Sequence, residues 1–378
     1  MKILHIIPNL NKGGAERLVI DIVSALKKRE SIEIQLVLFR NEIKYDIKEI
    51  ESLVKIIPAS VQLSIWKKNT LEIDVLQNFI NNFQPDIIHS HLFEAEIVSR
   101  SCYYLKAVWF SHCHDNMVQF KNFSLGAITN KTLLTNYFEK KYLLKRYQKN
   151  QGTHFIAISK DAENYFKETI HQYPITLLNN AINFDRFYKK KTFSTYKSTI
   201  KLVNVGSFVA KKNQAFILAI AEKLKTKNID FEIHLLGDGK LKESLEAITK
   251  KMNLDTVVFF HGNVNNVEEY LWQSDIYLHT ATYEPLGLVL IEAMAAGLPV
   301  ITLDGKGNRD LIEEGKNGYM IQEQDAEWFA NTILDLWSKK EKYQQISTFA
   351  QEYAKQYDIK NYVDNLLQLY KNALDKKL

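Results

Sequence analysis

Two carboxylates, Glu284 and Glu292, stand in the stretch Tyr283-Glu284-Pro285-Leu286-Gly287-Leu288-Val289-Leu290-Ile291-Glu292-Ala293-Met294-Ala295-Ala296-Gly297-Leu298-Pro299, which follows one apolar run and precedes another. Gly287 permits close backbone approach where a helix begins. The first turn of that helix leaves the amides of Gly287, Leu288 and Val289 unsatisfied, and with the helix dipole they suit a diphosphate. At ~1.5 Å per residue, Glu292 lies roughly 7–8 Å along the helix from Gly287, a reach suited to the hydroxyls of a ribose on that diphosphate. Glu284, just before the turn, can meet a sugar on the other side. Taken alone, two such residues also read as one capping and one solvated carboxylate. The apolar neighbours Leu290, Ile291, Ala293 and Met294 favour a ligand, because a carboxylate at Glu292 buried among them needs a hydrogen-bonding partner.

Histidines form the next candidates. His89-x-His91 and His112-x-His114 alternate as strand residues do, each pair at the end of an apolar run. Two such pairs could ligate zinc, but no third ligand type is settled, so no metal site is expected and the bland reading is a structural or exposed strand histidine. The two cysteines, Cys102 and Cys113, are too few for a disulfide framework and fit a reducing cytoplasm.

The elements that must carry these residues follow from hydrophobic periodicity. Short apolar runs alternate with amphipathic ones: Lys2 to Ile7, Ala15 to Lys28, Ile34 to Phe39, Asp86 to His89 and Ala95 to Leu105. The rhythm restarts with strand Ile200 to Gly206, helix Gln214 to Lys225, strand Phe231 to Leu236, helix Lys242 to Lys251, strands Thr256 to Phe260 and Asp275 to His279, helix Leu288 to Ala296 and strand Pro299 to Thr302. Two α/β parallel-sheet domains are expected, with a linker in Asn179 to Thr199 and helices from about Asp325 to Leu374 that brace both. The expected boundaries are 1–185, 186–358 and a C-terminal helix 359–378 packing back on the first domain. In open α/β sheets ligands bind outside the carboxyl ends of the strands, so the cleft between two such sheets is the expected site.

A chain of 378 residues with 46% hydrophobic and 25% charged residues can bury a large core. Its formal net charge of +5 suits an anionic ligand or membrane surface without demanding nucleic acid, and no nucleic-acid partner is expected. The apolar run Ile3 to Ile7 meets Pro8 and Asn9 too early for a signal core or a membrane span, so any membrane contact is expected to be peripheral, on the inner face. Lys131 to Lys149 combines Leu133, Leu134, Tyr137, Phe138, Leu144 and Tyr147 with Lys140, Lys141, Lys145, Arg146 and Lys149. It reads as a basic amphipathic helix, suited either to anionic lipid or to packing on a sheet with a solvated basic face.

The pattern E-P-x-G-x-x-x-x-E-A-M-A-x-G-x-P resembles the signature of glycosyltransferase family 4, whose fold is GT-B. Gly13-Gly14-Ala15-Glu16, Leu236-Gly237-Asp238-Gly239 and Gly262-Asn263-Val264 are also similar to that family, so the resemblance covers nearly the whole chain. It implies two Rossmann-like domains facing across a cleft and retaining transfer of a hexose or N-acetylhexosamine from a UDP-, GDP- or ADP-sugar to a glycan or lipid-linked acceptor. No cofactor or metal is implied. Gly13 and Gly14 would approach the donor phosphate, Glu292 the ribose and Glu284 the transferred sugar. Gly287, Leu288 and Val289 would hold the phosphates, and Asn263 and Val264 the base. His114 best matches the histidine that the family places beside the sugar, with His112 the alternative. The family supplies an Arg and a Lys after the first strand of the second domain; here Lys212 matches the Lys, while Ser207 occupies the Arg position. Lys211 or Arg309 could restore that charge. Asn180-Ala181-Ile182-Asn183 departs from the usual Asn-Gly-Ile-Asp at the domain junction.

Competing readings are a nucleotide-sugar 2-epimerase of the same fold and a donor-binding subunit with weakened catalysis. An NAD-linked dehydrogenase is excluded, because no Gly-x-Gly-x-x-Gly follows Lys2 to Ile7.

Overall fold

Parallel strands buried on both faces must be largely apolar, as Lys2–Ile7, Ile276–His279 and Val300–Leu303 are. The computed structural model describes residues 1–64, 68–121, 130–150, 152–191 and 198–377. It divides into two units, Met1–Ala181 with Ile359–Leu378, and Ile182–Asp358.

The first unit contains β1 (Lys2–Ile7), β2 (Glu33–Leu38), β3 (Val54–Ile56), a hairpin of β4 (Ser60–Gln62) and β5 (Thr70–Glu72), then β6 (Ile87–His91), β7 (Val108–Cys113), β8 (Thr153–Ala157) and β9 (Ile175–Leu177). Its helices are α1 (Gly14–Lys27), α2 (Asp74–Phe83), α3 (Phe93–Ser99), α4 (Lys131–Lys149) and α5 (Lys160–Thr169). The seven-stranded sheet runs β3-β2-β1-β6-β7-β8-β9. Alternation along β1 divides the core: Ile3 and Ile7 pack with Leu18, Ile22 and Leu26 of α1, whereas Leu4 and Ile6 pack with Leu76 and Ile80 of α2. Two of these helices start on side-chain caps, with Asn130 accepting from Thr132 and Leu133 at α4 and Ser159 from Ala162 at α5.

The second unit contains α6 (Phe184–Phe187), β10 (Ile200–Val205), α7 (Gln214–Thr226), β11 (Phe231–Leu236), α8 (Lys242–Lys251), β12 (Val258–Gly262), α9 (Val267–Gln273), β13 (Ile276–His279), α10 (Leu288–Ala295), β14 (Val300–Leu303), β15 (Gly318–Ile321), α11 (Ala326–Ser338) and α12 (Lys340–Ala354). Its six strands are ordered β12-β11-β10-β13-β14-β15. One face packs Ile217 and Leu224 of α7 with Phe329 and Ile333 of α11. The last helix, α13 (Ile359–Asp375), returns to the first unit, where Tyr362, Val363, Leu366 and Tyr370 join the α1 side of the core.

Several elements differ from the periodicity reading. The helix expected over Ala95 to Leu105 ends at Ser99, where the chain tightens through bonds from the Ser101 amide to Val98 and from the Cys102 amide to Ser99. The break between units falls at 181/182, ahead of the expected 185/186, and Ile182 is tied to the second unit by its amide, which donates to the Tyr357 carbonyl at 2.9 Å. Residues 192–197 of the expected linker lie outside the described residues. Strands β3, β4, β5, β8, β9 and β15 lie outside the periodicity reading; Gly318 admits β15, since a Cβ there would stand 2.2 Å from the Val300 carbonyl. Helix α4 buries Leu143 and Tyr147 in the core and leaves Leu133 and Phe138 exposed. No helix among the described residues is long and apolar enough to cross a membrane.

Candidate active site

In the second unit the strand order reverses between β10 and β13, and ligands of open parallel sheets bind beyond the strand ends at such a point. The loops leaving these two strands are tied together there. Thr282 donates its amide to the Lys211 carbonyl at 2.9 Å, and Thr280 Oγ1 reaches the carbonyls of Lys212 and Asn213 at 3.2 and 3.0 Å. The β10 loop delivers Lys212 and the β13 loop delivers Glu284, and their side chains form an ion pair. His279, the last residue of β13, places Nε2 3.1 Å from Glu284 Oε2. Glu284 is only 7% exposed. Burial alone would raise its carboxyl, but the Lys212 ammonium and the His279 imidazole outweigh that and hold it down to about 2. Burial lowers His279 despite the carboxylate beside it, so the imidazole is neutral. The site therefore presents an ionised, acceptor-only carboxylate backed by a cation.

Backbone packing fixes this carboxylate. The Glu284 amide donates to Gly305 at 2.8 Å, and Gly307 lies so close that a Cβ would meet the Pro285 carbonyl at 1.9 Å. Gly287 then adopts φ 99° and ψ 62°, a left-handed conformation that opens α10 with no side-chain cap. Gly287, Leu288 and Val289 thus stand at a helix start that no side chain caps. Glu292 is half-buried, while Glu284 is the carboxylate that is buried. The burial expected of Glu292 is therefore found at Glu284: Leu290, Ile291, Ala293 and Met294 are buried in the core, on a different face of α10 from Glu292.

The remaining predicted residues occupy neighbouring loops. Ser207 is exposed, and its carbonyl accepts from Gln214 Nε2 at 3.1 Å. Lys211 is exposed and forms no ion pair among the described residues. Arg309 pairs with Asp304 of its own loop at 2.6 Å. Asn263 and Val264 follow β12 directly. The glycine loop after β11 packs onto the loop after β10: a Cβ at Gly237 would meet the Gly206 carbonyl at 2.1 Å, and the Phe208 amide donates to Asp238 at 2.9 Å.

In the first unit, Gly13 precedes α1, whose first turn has no side-chain cap, and Gly14 is exposed. Tyr45 holds the loop by accepting from the Gly13 amide at 3.0 Å and donating to its carbonyl at 2.9 Å. His114 follows β7 and is 9% exposed, with Nε2 3.0 Å from Nδ1 of His91. His112 Nε2 lies 3.0 Å from Asn180 Oδ1. The junction residue Asn180 thus orients a histidine rather than acting only as a hinge.

Sequence reasoning passed over three groups. His279 carried a readable signal, since it ends the strand at the order reversal. His5 did not, being a single histidine inside an apolar run. Nor did the buried pair of Glu96 and Arg100, in which Arg100 Nε donates to Glu96 at 3.0 Å. Ser90 and Ser111 also donate to Glu96, and Arg100 reaches Thr153 at 3.0 Å. These partners come from different strands.

Comparisons with known proteins show the family and the fold. Residues 185–353 match the model of the glycosyl transferases group 1, and residues 12–186 match that of glycosyltransferase family 4. The chain is 27% identical over 320 residues to the Bacillus subtilis protein EpsF, covering 80% of this chain and 79% of that one. It is 23% identical over 327 residues to N-acetylgalactosamine-N,N'-diacetylbacillosaminyl-diphospho-undecaprenol 4-alpha-N-acetylgalactosaminyltransferase of Campylobacter jejuni, covering 83% and 84%. The crystal structure of Anabaena Alr3699/HepE in complex with UDP superposes with TM-score 0.77 at 19% identity, covering 98% of this chain and 100% of that one. The folds and the family models together make this chain a glycosyltransferase of family 4 with the GT-B fold.

Proposed function

We propose that the chain transfers a hexosyl or N-acetylhexosaminyl unit from a nucleoside diphosphate sugar to a glycan or lipid-linked acceptor, with retention at the anomeric carbon, in cell-surface polysaccharide synthesis. The observation that carries this reading is the buried, ionised Glu284 paired with Lys212 beside the uncapped start of α10. The bond between the anomeric carbon and the β-phosphate oxygen breaks, and its electron pair stays on the phosphate. The acceptor hydroxyl forms the new bond on the same face, and its proton passes to the departing phosphate. Lys212 and the amides of Gly287, Leu288 and Val289 stabilise the charge that develops there. Glu284 accepts from hydroxyls of the transferred sugar and Glu292 from the ribose. Gly13 and Gly14 approach the diphosphate, Asn263 and Val264 the base, and His114 the sugar. Lys211 supplies the cation that Ser207 lacks, because Arg309 is engaged by Asp304. The phosphate chemistry takes its positive charge from lysines and needs no divalent metal.

UDP is the favoured donor nucleotide, given the UDP-bound Anabaena structure, and a polyprenyl-linked acceptor is supported by the Campylobacter relative's name. Access to such an acceptor suits contact with anionic lipid at the inner membrane face through the exposed Leu133 and Phe138 and the lysines of α4. Pelleting with anionic vesicles, weakened by Lys141→Glu, checks that contact; equal pelleting with neutral vesicles contradicts it. A thermal-shift screen of UDP-, GDP- and ADP-sugars identifies the donor, because a ligand bound only by the folded state raises Tm according to its affinity. A rise with one nucleotide class is expected, and no rise with any contradicts the reading. Conversion of the donor to another sugar nucleotide without acceptor would replace transfer with 2-epimerisation.

A further inference from the structure

The first unit gathers five buried histidines on one face of its sheet. His5 on β1 is in register with His89 on β6, and His91 is in register with His112 on β7. His89 and His91 are two residues apart, as are His112 and His114, so all five side chains emerge on the same side. Strand starts on that face are apolar, with Ile3, Ile87 and Val108 in the core against α1 and α13. The histidines follow toward the carboxyl ends. His5, His89 and His91 are each 0% exposed, with ring centroids 4.3–5.1 Å apart.

Hydrogen-bond accounting shows that these rings do not satisfy one another. A neutral imidazole has one N–H and one lone pair. His5 Nδ1 and His91 Nε2 lie 2.8 Å apart, and His91 Nδ1 and His114 Nε2 lie 3.0 Å apart, so each contact shares one proton. A neutral His91 donates at one nitrogen and accepts at the other, and the chain of rings therefore runs one way. Whichever way it runs, one of the terminal nitrogens, His5 Nε2 or His114 Nδ1, is an N–H and the other a bare lone pair. Both are buried without a partner among the described residues, as is His89 Nε2. Each such group costs about 1–3 kcal/mol. Burial lowers His5 to about 3 and places His89 and His91 well below the usual histidine range, which keeps all three in the neutral form that binds metals.

We propose that the first unit binds one divalent transition-metal ion, zinc or a chemical congener, through the imidazoles of His5, His89 and His91. Their ligand atoms all lie within 4.8 Å of one another. Tetrahedral zinc at 2.0–2.1 Å from each nitrogen sets the nitrogens roughly 3.3–3.4 Å apart, so the His5–His91 contact opens by about half an ångström and the shared proton gives way to the ion. Metal-bound histidines characteristically engage the second ring nitrogen in a hydrogen bond that fixes the tautomer. His89 does so, with Nδ1 2.5 Å from the Tyr370 hydroxyl on α13. The third ligand that the two His-x-His pairs lacked is His5, which the sheet brings from β1. An ion here ties together β1, β6 and, through Tyr370, the C-terminal helix.

The test is metal binding by the full chain, which stands apart from the transferase reading because none of its readouts is activity. Protein stripped with a chelator is equilibrated with Co2+, and the visible absorption of bound Co2+ is followed with and without competing Zn2+. One Co2+ per chain, displaced by Zn2+, with a rise in Tm, is expected. His5→Gln and His89→Gln should each weaken binding by more than the roughly 10–100-fold expected for Tyr370→Phe, which removes only the outer partner. The exposed His171→Gln serves as the control and should bind as the wild type does. Failure of stripped wild-type protein to take either metal overturns the proposal whether or not the variants fold. Loss of binding in His114→Gln with retention in His5→Gln also overturns it, because the ion would then occupy His91, His112 and His114.

Discussion

Glu284 keeps its charge in surroundings that would otherwise remove it, and the reason is local: one ammonium and one imidazole face a carboxylate whose backbone is clamped by Gly305 and Gly307. A carboxyl held at about 2 against an ordinary 4.5 binds protons less readily folded than unfolded. Its contribution to stability is thus complete above about pH 4.5 and is lost as pH falls toward about 2. Urea unfolding of the wild type should lose more stability between about pH 5 and about pH 3 than that of Glu284→Gln, and identical losses would contradict the ion pair. The same residues divide the catalytic work. Glu284→Gln and Lys212→Ala should lower kcat by about 10²–10³ with little change in nucleotide affinity. Glu292→Gln should weaken nucleoside diphosphate binding by about tenfold, and Lys211→Ala should lower kcat/KM by a similar factor. Equal, negligible effects of Glu284→Gln and Glu292→Gln on kinetics and calorimetric binding would remove the assignment. The pair was legible as a motif because both carboxylates fall within one helix start. Which of them is buried was not legible, because Gly305 and Gly307 arrive from the loop after β14.

Elements show where local pattern suffices and where it fails. Strands β1, β2, β6 and β10 to β14 and helices α7, α8 and α10 follow from apolar runs and periodicity, since each buries residues at its own spacing. The Glu96–Arg100 network was not legible in this way. Its charge pair lies four residues apart at the end of α3, as an ordinary solvated pair would, yet both side chains are at most 1% exposed. Ser90, Ser111 and Thr153 complete it from β6, β7 and β8, and only strand order joins them. Arg100→Ala leaves the Glu96 carboxylate buried without its cation and should cost about 3–5 kcal/mol in urea unfolding. The double replacement Glu96→Leu with Arg100→Met removes both charges and should cost clearly less. A smaller loss in Arg100→Ala than in the double variant would contradict the network.

At the scale of the whole molecule, the chain builds two parallel sheets and then sends its last helix back to the first. The doubled α/β rhythm made the two units readable; the placement of residues 182–185 in the second unit goes with the bond from the Ile182 amide to Tyr357, which no periodicity encodes. Helix α13 buries Ile359, Tyr362, Val363, Leu366 and Tyr370. At ~1.5–3 kcal/mol for each large apolar side chain, that burial is on the order of 10 kcal/mol, comparable with the entire stability of a domain. A chain ending at Asp358 should therefore lose the cooperative unfolding of its first unit, seen as hydrogen exchange throughout β1, β6 and β7, while the strands of the second unit remain protected. Unchanged protection of β1 would contradict this. Nucleoside diphosphate release reads out acceptor-dependent transfer from a nucleotide sugar at the Lys212–Glu284 site. Wild type and Lys212→Ala are assayed with UDP-, GDP- and ADP-sugars, with and without lipid-linked and polysaccharide acceptors. Release from one donor class that rises with acceptor, keeps the anomeric configuration in the product and falls by about 10²–10³ in Lys212→Ala is expected. No release above background from any donor and acceptor pair, or full activity in Lys212→Ala, would contradict it.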